Sequence, residues 1–262
     1  MNFIISLLKD RRILINLISN DLKSRYLTNY LGFLWAFIQP CATALTLWLV
    51  FTFGFKAAPQ SEVPFFLWLI CGLIPWFFIV EGLSSGCASI TDNSFLVKKI
   101  VFKVSLLPVV KIGSALIVHS FFVALLCGLY VFYGFEPNIY WLQLFYYIAC
   151  VSLLLLALAW LTSSVVVFFS DLNQIVAMLV QFGFWLTPVF WNIDTIQGSA
   201  ANILKLNPFY YIVEGFRDSM IKQVWFWEKP QELMIFWGGL LALLFLSMVI
   251  FKRLRPHFAD VL

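Results

Sequence analysis

Long apolar runs separated by short polar breaks dominate the chain between residues 31 and 252. A helix needs roughly 20 apolar residues to cross the hydrocarbon core of a bilayer. The runs, for example Leu153 to Leu161, do not alternate between apolar and polar positions as barrel strands would. The pattern therefore predicts an all-α polytopic membrane protein with six transmembrane helices. These six spans are predicted at about 31–53, 63–90, 106–132, 141–169, 172–189 and 233–251.

Residues 1–30 have a different pattern, because basic side chains lie between apolar positions that recur every three or four residues. The basic side chains include Arg12, Lys23 and Arg25. This spacing predicts an amphipathic helix that lies along the membrane surface, and a solvated leader is the alternative. The segment has no small-residue cleavage site after a compact apolar core, so we do not expect a cleaved signal peptide.

The distribution of Lys and Arg predicts the orientation of the chain. If both termini lie on one side, that side holds 12 of the 17 basic residues and the other side holds 5. Cytoplasmic loops carry the excess of Lys and Arg in membrane proteins. Both termini, including the tail 253–262, are therefore expected in the cytoplasm, in agreement with an even number of spans.

Two connections between the predicted spans have distinctive sequences. The inner one, 92–103, opens with Asp92 or Asn93 as a candidate helix cap and then mixes apolar side chains with lysines. It could bind a soluble partner or lie on lipid. The outer one, 191–230, is longer than a tight connection needs and rich in aromatic residues. We expect it to dip toward the membrane or to cap the spans.

Composition and motifs exclude several classes of function. A net charge of +4, scattered along a chain that is 62% hydrophobic, argues against a nucleic acid partner. The five cysteines lie in apolar runs without metal-ligand spacing, so we expect no metal site. The chain has no GxxxxGK[ST] loop and no catalytic motif. The sequence therefore predicts a protein that is not an enzyme and has no cofactor of its own.

Among the ionisable side chains within predicted spans, Glu81 and His119 are candidates for function, because a charge there is costly unless it is paired or hydrated. For Glu81 we favour a structural hydrogen bond, and direct contact with a transported molecule is the alternative. For His119 we favour a hydrogen bond between helices, and a proton relay is the alternative.

Aromatic and amide side chains occur together in the first and fifth predicted spans. Rings offer flat apolar surfaces and amides offer hydrogen bonds, a combination that suits sugars. Packing between helices or contact with lipid is the alternative for each ring. The candidate lining of a conduit is Trp35, Phe37, Gln39, Gln181, Phe184 and Trp185.

Characteristic segments occur in order along nearly the whole chain. They are NDLKSRYLTNYLGFLWAFIQP (20–40), GLIPWFF (72–78), LVKK (96–99), SDLNQIV (170–176), FWLTPVFW (184–191), LNPFYYIVEGFRD (206–218) and FKRLRPHFADVL (251–262). Together these segments resemble the ABC type 2 polysaccharide exporter permeases, which export O-antigen, capsule or teichoic-acid chains. One departure is VFKVSLLP at 101–108, which lacks a proline and an acidic residue that are usual in the family.

The resemblance implies a homodimeric permease of the inner membrane that exports a lipid-linked polysaccharide, O-antigen first among the candidates, between its two copies. It implies two copies of a separate ABC ATPase that bind ATP and Mg²⁺. Residues 1–30 would form the interface helix, 31–252 the transmembrane domain, 92–103 the coupling helix and 191–230 the outer gate. The implied coupling residues are Asp92, Asn93, Phe95, Lys98, Lys99 and Lys103, and the implied gate residues are Trp191, Asn207, Pro208, Glu214 and Arg217.

Two other functions stay open at this point. One is an exporter of a drug or small lipid built on the same scaffold. The other is a stand-alone channel or ion-coupled carrier, for which a single acidic side chain within the spans is weak support.

Overall fold

The computed structural model describes residues 11–26, 32–56, 63–98, 103–196 and 198–262, and most of these residues are helical. The predicted all-α class is therefore confirmed. The helices are α1 (Arg11–Tyr26), α2 (Trp35–Leu49), α3 (Phe65–Cys87), α4 (Ser94–Val97), α5 (Leu106–Phe132), α6 (Gln143–Val166), α7 (Leu172–Leu186), α8 (Ser199–Lys205), α9 (Pro208–Arg217), α10 (Pro230–Leu254) and α11 (Phe258–Val261). Shorter helical turns are Gly32–Leu34, Val50–Gly54, Thr91–Asn93, Ile139–Leu142, Ile193–Thr195, Asp218–Lys222, Phe226–Glu228 and Arg255–His257.

Several helices are long and apolar enough to cross a membrane. Within the described residues there are five such stretches: Trp35–Gly54, Phe65–Cys87, Leu106–Phe132, Ile139–Val166 and Pro230–Val261. They coincide with five of the six predicted spans. The chain is therefore a multi-pass membrane protein.

The fifth predicted span corresponds to α7, which is apolar but has 15 residues. At 1.5 Å per residue it is about 22 Å long, shorter than the roughly 30 Å hydrocarbon core. It ends at Leu186 instead of the predicted Val189, because Thr187 has an extended backbone. A residue before proline, here Pro188, avoids the helical conformation.

Helix α3 lies at the centre of the bundle and contacts α2, α5, α6, α7 and α9. Its side chains Leu67, Leu69, Leu73 and Ile79 are fully buried. By contrast, none of the side chains described for α2 is buried, and Val176 is the one buried side chain in α7. Helices α2 and α7 therefore lie at the periphery and expose apolar side chains.

Helix α1 packs against the first half of α5. The contact is close at Gly113, where a Cβ atom would lie 2.7 Å from Cδ1 of Ile18. Ser114 Oγ donates to the carbonyl oxygen of Ile18 at 3.5 Å. The amphipathic segment is thus a helix joined to the bundle over Arg11–Tyr26, while residues 1–10 lie outside the described residues.

The predicted coupling helix is shorter than its sequence suggests, since α4 ends at Val97. Lys99 and the rest of 99–102 lie outside the described residues. Asn93 occupies the predicted N-cap position of this helix, but its side chain makes no capping hydrogen bond. Asn93 Nδ2 instead donates to the carbonyl oxygen of Ser89 at 2.9 Å. Val97 joins an apolar cluster with Trp160 and Phe258, which ties α4 to α6 and the C-terminal helix.

Candidate functional site

A cavity of about 660 Å³ lies between α2, α3, α5 and α7 and is open to the molecular surface. Each helix contributes positions spaced by three or four residues, which lie on one helical face. The cavity is therefore built by four faces of regular helices rather than by loops. Its main lining side chains are Trp35, Gln39 and Thr43 from α2, Trp76, Phe78 and Glu81 from α3, His119 and Phe122 from α5, and Gln181, Phe184 and Trp185 from α7.

The structure brings together most of the residues predicted to line a conduit. Trp35, Gln39, Gln181, Phe184 and Trp185 all line the cavity, although α2 and α7 are far apart in sequence. Their contact with a transported molecule stays a prediction.

Phe37 lies apart from these residues. Its ring packs against Phe121 and Phe122 of α5, at centroid distances of 4.6 and 5.4 Å. The geometry favours the packing alternative for this ring.

Sequence reasoning missed the contribution of α3. Trp76 is 3% exposed, and its ring lies 5.8 Å from Phe184 and 6.1 Å from Phe209. It therefore connects the cavity wall to α9 of the outer segment. Close approach of α7 to this ring requires Gly183, where a Cβ atom would lie 3.1 Å from the indole.

His119 is buried in the wall of the cavity and stacks on Phe78, with ring centroids 4.5 Å apart and planes 8° apart. Its Nε2 atom has no hydrogen-bond partner among the described residues. The expected hydrogen bond between helices is therefore not made by this atom. Ring stacking holds the imidazole in place.

Glu81 forms an ion pair with Arg25 of α1, and both side chains line the cavity. Arg25 Nε lies 3.2 Å from Asp21 Oδ2, and Asp21 Oδ1 lies 2.8 Å from Lys111 Nζ. Lys111 Nζ lies 3.6 Å from Asp92 Oδ2 at the start of the inner connection. We call these five residues the ion-pair chain. The favoured structural role for Glu81 agrees with this pairing.

The other predicted interface and coupling side chains point outward. Arg12 and Lys23 are exposed on α1. Phe95 is 61% exposed, and Lys98 and Lys103 are also exposed. These side chains are accessible to a partner or to lipid headgroups.

Arg217 anchors the outer segment to the bundle. Its NH1 and NH2 groups donate to the carbonyl oxygens of Pro188 at 2.6 Å and Val189 at 2.7 Å. Its guanidinium carbon lies 3.7 Å from the centroid of the Trp68 ring, which is a cation–π contact. A Cβ atom at Gly72 would lie 2.7 Å from the Val189 oxygen and 2.8 Å from Arg217 NH2. Gly72 therefore makes room for this anchor.

The charge of Arg217 is balanced by Glu214, which also pairs with Lys222. Burial acts to raise the pKa of Glu214, but the charges of Arg217 and Lys222 outweigh it and hold the pKa below its ordinary value. Burial raises the pKa of Asp218, although Lys229 opposes that effect. Buried charges are tolerated when they are paired, as these are.

Asn207 and Pro208 begin α9. Asn207 Oδ1 accepts a hydrogen bond from the backbone N–H of Phe209 at 3.0 Å, and its Nδ2 donates to Thr187 Oγ1 at 2.9 Å. Pro208 occupies the first helical turn, where no backbone N–H is needed. Trp191 Nε1 donates to the carbonyl oxygen of Trp185 at 3.0 Å. Trp191, Asn207 and Arg217 thus join the outer segment to the end of α7 and to the residues that follow it.

Comparison with known proteins agrees with this architecture. The chain is 30% identical over 257 residues to the O-antigen export system permease protein RfbA of Myxococcus xanthus, with 95% of each chain covered. Two proteins of the same name from Klebsiella pneumoniae are each 26% identical, over 252 and 255 residues, again with 95% of each chain covered. The profile of the family described as ABC-2 type transporter matches residues 14–221. A multi-pass helical chain that matches this profile over most of its length belongs to the ABC-2 type transporter family.

Proposed function

We propose that this chain is the membrane-spanning permease subunit of an ATP-driven exporter that carries lipid-linked polysaccharide, of the O-antigen class, across the inner membrane. The observation that carries the proposal is the convergence of rings and amides from α2 and α7 on one cavity. The relatives named as O-antigen export permeases support the choice of cargo. In this proposal α7 is the fifth of six spans and both termini are cytoplasmic.

The lining chemistry suits a moving polymer. Aromatic contacts are worth about 0.5–1.5 kcal/mol beyond the burial of their area, judging from aromatic pairs. A polymer that advances needs many such contacts, because tight binding at one position would stall it, as in conduction through pores. The amides of Gln39 and Gln181 add hydrogen bonds without charge.

A second copy of the chain would close the conduit. Helices α2 and α7 expose large apolar side chains, including Leu45 at 52% and Trp185 at 60%, and both helices line the cavity. Exposed apolar surface of this kind marks contact with lipid or with another protein. We therefore propose a homodimer in which two cavities face each other and membrane lipid covers the remaining apolar surface.

The energy for transport would come from two copies of a separate ABC ATPase, which bind ATP and Mg²⁺. The segment 92–103 is the proposed docking site, with Asp92, Phe95 and Lys98 exposed on it. Residues 1–30 serve as the interface helix, 31–252 as the transmembrane domain and 253–262 as the cytoplasmic tail.

The outer segment 191–230 is the proposed gate at the exit of the conduit. It connects directly to the cavity. Trp191 donates a hydrogen bond to the backbone carbonyl of Trp185, and the ring of Phe209 contacts the ring of Trp76. Movement of α9 would therefore reach the cavity wall through these contacts.

Reconstitution tests this function. The permease and its ATPase are placed in proteoliposomes, and lipid-linked polysaccharide that crosses the membrane is measured with and without ATP. We expect export with both subunits and ATP, and none from the permease alone. Transport by the permease alone would favour the channel or ion-coupled carrier. Stimulation of the ATPase by a small lipid or drug, and not by polysaccharide, would favour that class of exporter.

A further inference from the structure

The ion-pair chain joins parts of the molecule that have separate proposed roles. Asp21 and Arg25 lie on α1, Lys111 lies on α5, and Asp92 opens the proposed docking segment. Glu81 lies on α3 and lines the cavity. Four consecutive ion pairs therefore link α3, α1, α5 and the docking segment.

Lys111 links Asp21 to Asp92 in this chain. It is 8% exposed, although it is a lysine, and its Nζ lies between carboxylates from α1 and from the docking segment. A lysine is rarely buried unless it is paired. If Asp92 moves, the ammonium group of Lys111 must follow it or lose one of its two carboxylate partners.

Arg25 responds to such a shift because it shares Asp21 with Lys111. Asp21 Oδ1 faces Lys111 and Oδ2 faces Arg25, although Oδ2 makes no hydrogen bond among the described residues. Any withdrawal of Lys111 leaves Asp21 free to attract Arg25 more strongly, and this weakens the pair between Arg25 and Glu81. The Glu81 side chain is 44% exposed, so it can take up water when Arg25 leaves.

From this geometry we infer that the pair between Arg25 and Glu81 is a latch at the cytoplasmic end of the cavity, released through Lys111 and Asp21 when the docking segment moves. Glu81 lies six residues before Cys87, at which α3 ends, and this end is cytoplasmic in the proposed topology. Lys111 and Asp21 are thus positioning residues for the latch. The inference rests on the proposed function for its direction.

A thiol reporter can follow the latch without any cargo. Ala36 lines the cavity on α2 and is half-buried, so Ala36→Cys reports access to the cavity. The exposed native thiol is removed by Cys41→Ser. The complete complex with its ATPase is reconstituted, and the rate of labelling by a charged maleimide is measured with and without a non-hydrolysable ATP analogue. A complex without Ala36→Cys gives the baseline.

We expect the analogue to raise the labelling rate by roughly tenfold, a usual size for coupling between sites. Lys111→Met should abolish the increase, Lys111→Arg should retain it, and Lys252→Met, which removes an exposed lysine outside the ion-pair chain, should leave it unchanged. Asp92→Asn tests the same step at an exposed position and should likewise abolish the increase. Normal responses in Lys111→Met or Asp92→Asn would overturn the inference.

Charge exchange tests the latch itself. Arg25→Glu and Glu81→Arg should each give fast labelling without nucleotide, and the double exchange should restore slow labelling. A double variant that labels as fast as the single variants would contradict the latch. Copurification with the ATPase in normal ratio shows that each variant is folded. If the wild type shows the nucleotide response but exports no polysaccharide, the result contradicts the proposed cargo and still supports the latch.

Discussion

Replacing Gly72 with alanine should destabilise the protein, although alanine is the better residue for the middle of a helix. The added methyl group would lie 2.7 Å from the carbonyl oxygen of Val189 and 2.8 Å from NH2 of Arg217. The carbonyl belongs to the backbone and cannot move as a side-chain end would. The guanidinium is fixed by Pro188, Val189 and Trp68. Both neighbours must therefore shift from favourable positions.

The size of the effect follows from three contributions. Overpacking a well-filled site costs about 1–3 kcal/mol. A weakened hydrogen bond to a charged group costs up to about 1.5–3 kcal/mol. Alanine stabilises a helix interior by about 0.8–1 kcal/mol relative to glycine, which offsets part of this loss. We expect Gly72→Ala to lose about 1–4 kcal/mol in total.

Thermal unfolding of the detergent-solubilised protein measures this change. Gly128→Ala is the matched control, because Gly128 also lies within a helix but a Cβ atom there meets nothing within 4 Å. The control should unfold at or slightly above the temperature of the wild type, and Gly72→Ala several degrees below it. Equal unfolding temperatures for the two variants would refute the anchoring role of Arg217.

Two further predictions concern topology and the start of α9. A reporter that is active only in the cytoplasm should work after Leu262 and fail at Gly198, and activity at Gly198 would contradict the proposed orientation. Asn207→Ala should lower the free energy of unfolding by about 1 kcal/mol, because the helix cap is lost. Asn207→Asp should cost less, since it keeps the acceptor for Phe209 and loses the donor to Thr187; equal costs for both variants would show that the cap is unimportant.

The hydrophobic pattern was sufficient to place most helices. The third predicted span and α5 share the bounds Leu106–Phe132, because a long, mainly apolar segment in lipid must satisfy its backbone hydrogen bonds internally and therefore forms a helix. Helix α7 was predicted three residues too long, because apolar residues continue past the point where Pro188 ends the helix. Hydropathy reports solubility in lipid and not backbone conformation.

The candidate site was predictable only in part. Rings next to amides in α2 and α7 had a chemical signature, and five of the six predicted side chains line the cavity. Trp76 had none, since a ring in an apolar helix looks the same whether it faces a cavity or a neighbour. The contact between Asp21 and Lys111 joins residues 90 positions apart, and no local pattern indicates such a pair. It depends on the packing of α1 against α5.

Capture of cargo at adjacent positions of α7 tests the central claim most directly. Gln181 lines the cavity, whereas Phe182, the next residue, is 58% exposed and does not. A photoreactive amino acid is placed at one position or the other in the complete exporter, and illumination follows the addition of ATP and lipid-linked polysaccharide. We predict that position 181 captures the sugar polymer and position 182 captures lipid or the second copy. Polymer captured at neither position, or equally at both, would contradict the account.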